Sequence, residues 1–106
     1  MSVGSRTTEN CLLGVTLLEL QLAVHQTLDC IAGALIEIVG VKVRRVNGTV
    51  WEGNVHVLEI SDYPDAERCY AWLEIIDERR LTIRVIPHSA EADTATKAVQ
   101  VAHRES

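Results

Sequence analysis

The 106-residue chain has no phenylalanine and only four aromatic side chains, Trp51, Tyr63, Tyr70 and Trp72. Leu, Ile and Val must therefore build the core, with the tryptophans as sparse large anchors. Basic residues are also few: 10 Lys and Arg stand against 15 Asp and Glu, for a net charge of −5. Phosphate backbones and anionic bilayers call for a basic surface, so this balance argues against nucleic acid or an anionic membrane as the main partner. The single basic run, residues 42–45, is short and reads as a solvated strand face.

Other absences narrow the chemistry. Glu19, His25, Asp29 and Glu37 interrupt the apolar first third, so no 18-residue window is both apolar and free of charge, and no membrane span is expected. The polar start "MSVGSRTTEN" lacks a secretory signal pattern. Three cysteines, Cys11, Cys30 and Cys69, are an odd number without C-x-x-C spacing. Reduced thiols and a cytoplasmic location are the simplest expectation. His25, His56, His88 and His103 fall in four separate elements, so no metal and no cofactor are expected. There is no glycine-rich phosphate loop, no G-x-S-x-G and no Walker pattern.

What is present divides into three zones of different periodicity within one domain. Residues 1–9 read as a flexible start and residues 10–33 as a helix, with Asn10 as N-cap. Leu13, Leu17, Leu20, Val24, Leu28, Ile31, Leu35 and Ile38 recur at spacings of 4, 3, 4, 4, 3, 4 and 3, close to a heptad seam. Leu12, Val15, Leu18 and Leu22 widen that apolar face beyond what a small sheet can cover. From Leu35 onward the pattern turns β-branched, which places the helix end near residues 30–33 or a few residues beyond.

Residues 35–87 read as an antiparallel sheet of about four strands in two hairpins. In the first hairpin a two-residue Asn47-Gly48 turn would mix the faces. A three-residue loop, Val46-Asn47-Gly48, makes both faces consistent. It sets Val43 opposite Trp51, Val41 opposite Gly53, Val39 opposite Val55 and Lys42 opposite Glu52. "SDYPDAER" is a connector in which Pro64 begins one helical turn. In the second hairpin a Glu78-Arg79-Arg80 loop pairs Glu74 with Arg84, Ile75 with Ile83 and Leu73 with Val85. Ala71, Leu73, Ile75, Ile83 and Val85 then face the core, and Tyr70, Trp72, Glu74, Ile76 and Ile86 face away, with Trp51 and Trp72 on opposite faces. Residues 89–104 read as a second helix, capped by Ser89 or Asp93, with a thin stripe of Ala95, Ala98, Val99 and Ala102. The fold class expected is α+β: long N-terminal helix, sheet, C-terminal helix.

The densest polar constellation is Glu52, Asn54 and His56 along one strand face, with Lys42 and Arg44 across from them. Arg44, Glu52, His56 and Trp72 are the candidate ligand-binding residues, weighed against a plain solvated sheet face. Cys69 reads as a small buried residue at a strand start rather than a nucleophile, and no residue is singled out as catalytic.

The segments "VWEGNVHVLEI", "PDAERCYAW", "LTIRVIP" and "ADTATKAVQVA" give Val50–Ala102 a resemblance to a small family of uncharacterised bacterial proteins. "RCYAW" is its specific part. The resemblance implies no activity and no catalytic residue. Small proteins of this kind also resemble the products of mobile integron gene cassettes. The functional expectation is a cytoplasmic binding or interaction module that works as a homo-oligomer through its first helix, with Leu13, Leu17, Leu20, Val24, Leu28 and Ile31 at the contact. The alternative is a small enzyme or ligand-binding protein with a pocket near Glu52 and His56.

Overall fold

A computed structural model describes residues 16–45, 47–77 and 79–104. Along the chain run α1 (Leu17–Leu28), β1 (Ile31–Arg44), β2 (Val50–Ser61), β3 (Arg68–Asp77), β4 (Arg80–Pro87) and α2 (Ala95–Arg104). The protein is α+β, with a four-stranded antiparallel sheet in the order β1-β2-β3-β4.

α1 starts at a capping box. The Glu19 N–H donates to the Thr16 hydroxyl at 3.1 Å, and the Thr16 N–H donates to the Glu19 carboxylate at 3.0 Å, so two orphan donors of the first turn are satisfied. Asn10 and Leu13 lie outside the described residues. The helix ends earlier than its spacing predicts. Asp29 takes the left-handed conformation at φ 55°, and its N–H returns to the His25 carbonyl at 3.0 Å. Aspartate tolerates that conformation, and the β-branched run after it favours a strand. Residues 30–33 are therefore not helical, and Ile31, Leu35 and Ile38 belong to β1.

The first hairpin has the three-residue register. Val43 pairs with Trp51, Lys42 with Glu52, Val41 with Gly53 and Val39 with Val55. Gly48 sits at φ +92°, which a residue with a side chain adopts only with strain. The connector between β2 and β3 is a turn at Pro64 and Asp65 rather than a helical turn, closed by Ile60 N–H to the Glu67 carbonyl at 3.0 Å. The second hairpin is tighter than the sequence suggests. Asp77 pairs with Arg80, so Glu74 sits opposite Thr82, Ile75 opposite Leu81 and Leu73 opposite Ile83. The pairing slides by two residues, which preserves the faces.

Both faces of the sheet carry a helix, and so there are two cores. α2 covers the face with Val41, Val43, Trp51, Val55, Val57, Tyr70 and Trp72, and contributes Ala95, Ala98, Val99 and Ala102. Its small side chains let the helix approach the two tryptophans closely. α1 covers the other face, where Leu20 and Val24 pack on Cys30, Leu58, Ile60, Cys69, Ala71 and Val85. Trp51 and Trp72 share the α2 face, edge to face, with ring centroids 6.2 Å apart. The expectation of opposite faces fails because β3 pairs Trp72 with Val55, in the row of Trp51. That register between the two hairpins is set by tertiary packing.

Candidate functional site

The structure separates the sequence-derived site residues. Glu52 and Arg44 are exposed on the α1 side of the sheet, and His56 lies between them and the helix-covered end. Trp72 is fully buried on the opposite side, against α2. It shares no pocket with Glu52 and His56, because alternation along antiparallel strands sends it through the sheet. Glu52 is paired across the strands with Lys42 as expected.

His56 is half-buried, and its Nδ1 has no hydrogen-bond partner. Burial holds its imidazole below the ordinary range, with the Ala71 backbone working in the other direction. His56 and Cys69 share the α1 face, on adjacent strands and one pair apart, since His56 pairs with Ala71 and Leu58 with Cys69. The thiol of Cys69 is nevertheless pushed up to about 12, first by burial and second by Cys30. A thiol that stays protonated is a poor nucleophile and a poor ligand.

A second cluster, missed by the sequence reading, lies on the α2 face. Glu74 is buried and receives three basic groups. His103 Nε2 lies 2.5 Å from its carboxylate, Arg45 lies at 3.6 Å and Arg84 at 3.6 Å. Arg84 also donates to the Ala102 carbonyl at 3.2 Å, near the C-terminal end of α2. Trp51 packs edge-on to His103 at 6.4 Å between ring centroids. Glu74 and Arg84 are on neighbouring strands, two residues out of register, and His103 comes from the last turn of α2. Only the docking of α2 brings the three together. The Glu74–Arg84 pair in the sequence-derived hairpin was the one available signal.

The chemistry of this cluster is that of a clamp. A carboxylate shared by two guanidinium groups and an imidazole satisfies a buried charge and fixes the end of α2 on the sheet. His103 Nδ1 and Trp72 Nε1 are buried without partners. A shallow open depression of about 290 Å³ lies elsewhere, lined by Gly33, Glu59, Ile60, Ser61 and Glu67. Among the described residues no group of three or more His, Cys, Asp or Glu side chains is arranged to hold a metal ion, and no helix is long and apolar enough to cross a membrane.

The interface residues expected on α1 divide. Leu20 and Val24 are buried in the chain's own core and Leu28 is half-buried against it. Leu17 and Ile31 are exposed, while Leu18 and Leu22, which had only widened the apolar face, point outward at 64% and 51% exposure. No family model, curated protein or solved structure matches the chain.

Proposed function

We propose that the protein is a small binding or interaction module that works as a homo-oligomer in a reducing, cytoplasmic compartment. One observation carries this reading. Among the described residues, seven of the ten large apolar side chains left exposed lie on α1 and β1: Leu17, Leu18, Leu22, Ile31, Leu35, Ile36 and Ile38. α1 adjoins β1, tied by the Gln21 side chain donating to the Gly33 carbonyl at 2.9 Å, and runs across the sheet face as far as β4. Apolar side chains collected on two adjoining elements, rather than scattered singly, are what a subunit contact uses. Buried thiols at Cys30 and Cys69 suit a reducing compartment.

The interface that this geometry supports differs from the one read off the helical seam. Leu20 and Val24 are committed to the chain's own sheet, and the outward leucines Leu18 and Leu22 take their place. The double variant Leu18→Ser and Leu22→Ser tests it. Its expected outcome is association weakened at least tenfold with the melting temperature little changed, since neither side chain belongs to the core. Unchanged self-association would remove α1 from the contact.

A further inference from the structure

We infer that β1 is the pairing edge: two copies join their β1 strands antiparallel about a two-fold axis at Val41, and the sheet continues from one copy into the other. The inference rests on the homo-oligomer reading and names its contact. Three independent features of β1 lead to it.

The first is position. β1 is a terminal strand of 14 residues, so one side of its backbone has no neighbouring strand among the described residues. A long, apolar, uncovered edge is a template for a further strand. Ile38 on this strand is 54% exposed and Ile31 58%. At Gly40 a side chain would meet nothing within 4 Å.

The second is the direction of the free backbone groups. The Arg45 N–H donates to the Thr49 carbonyl at 2.7 Å, toward β2. Alternation then turns the N–H and C=O groups of Val43, Val41, Val39 and Glu37 toward β2, and those of Arg44, Lys42, Gly40 and Ile38 outward. The irregularities in β1 pairing lie between Ala32 and Glu37, so Glu37 to Arg44 is the unbroken part of the edge. A two-fold at Val41 sets Ile38 opposite Arg44 of the partner subunit and Gly40 opposite Lys42 of the partner subunit. Both pairs consist of outward-directed residues, as an antiparallel ladder requires.

The third is charge. The same register places Glu37 directly opposite Arg45 of the partner subunit. Both lie on the α2 face: Glu37 pairs with Val57 in the row of Tyr70, and Arg45 reaches Glu74. They would form a non-hydrogen-bonded pair, the closer kind. Arg45 is 31% exposed in its side chain and belongs to a cluster with two guanidinium groups, Arg45 and Arg84, for one carboxylate, Glu74. Among these three described side chains that leaves 2 − 1 = 1 positive charge in excess. Glu37 of the partner subunit balances it, twice per dimer by symmetry. A parallel pairing in register would instead set Lys42 and Arg44 beside their own copies.

The test uses the full chain. Gly40→Pro removes an outward N–H and sets a ring in the path of the second strand, yet an edge position tolerates proline. The expected result is a folded monomer with an unchanged circular dichroism spectrum. Glu37→Lys, a surface change that does not threaten folding, is expected to weaken dimerisation about tenfold. In the native protein, the amides of Ile38, Gly40, Lys42 and Arg44 are expected to exchange more slowly as concentration rises. A dimer that survives both variants, with exchange at those four amides independent of concentration, overturns the β1 edge and leaves the oligomer reading standing. A monomer at every concentration overturns both. If Gly40→Pro fails to fold, an unchanged association constant in Glu37→Lys decides against the edge.

Discussion

Glu74 gathers His103, Arg45 and Arg84 on one buried carboxylate, and its removal exposes what the clamp does. Glu74→Ala would leave His103, Arg45 and Arg84 without their shared acceptor. Losing a charged acceptor strands buried donors, but both arginines are about one-third exposed, which reduces the cost through solvent screening. The expected loss is about 2 kcal/mol of unfolding free energy, measured by urea titration. His56 makes a second prediction, about pH. Burial depresses its folded value below the ordinary imidazole value of 6.5, so the unfolded chain binds the proton more tightly. The stability it contributes is present above 6.5 and is lost as pH falls through the depressed folded value. His56→Leu is therefore expected to flatten the fall in stability on mild acidification, relative to the native chain. Strand parity assigned Cys69 and Ala71 to one face and Tyr70 and Trp72 to the other, as the structure has them. The Glu74–His103 contact was not legible, because 29 residues separate its partners and no local spacing records how α2 docks.

At the scale of elements, the first hairpin was legible because its turn chemistry and its two faces agree. Gly48 holds φ +92° at the position the three-residue loop requires. Gly48→Ala is expected to cost about 1 kcal/mol, read as a lower denaturation midpoint with an unchanged slope. The helix end was misread for a physical reason. Ala32 pairs with Ile60, Leu35 with Leu58 and Ile38 with His56, so each advance of two residues on β2 takes three on β1. Two extra residues in the edge strand thus convert the strand period of two into a spacing of three, which imitates the helical seam preceding it. Asp29, in the left-handed conformation, marks the boundary that the apolar spacing concealed. In the second hairpin the parity was right and the register was two residues off, because strand alternation leaves loop length open; Ile75, expected in the core, is exposed, and Tyr70, Trp72 and Glu74, expected to face away from it, are buried under α2.

For the whole molecule, the sequence pointed to more apolar surface than one small sheet can bury. The structure absorbs part of that surface by covering both sheet faces, with α1 on Leu58, Cys69 and Ala71 and α2 on Trp51, Val55 and Trp72. What remains exposed among the described residues is concentrated on α1 and β1. Leu20 and Val24, the central residues of the expected seam, turn out to be the chain's own core, while Leu18, Leu22 and Ile38 stay outside. Self-association through these elements is the central claim, and mass in solution tests it most directly. Light scattering across the micromolar range is predicted to give twice the 11.7 kDa chain mass, with dissociation on dilution. A mass that stays at 11.7 kDa over the whole range would contradict it.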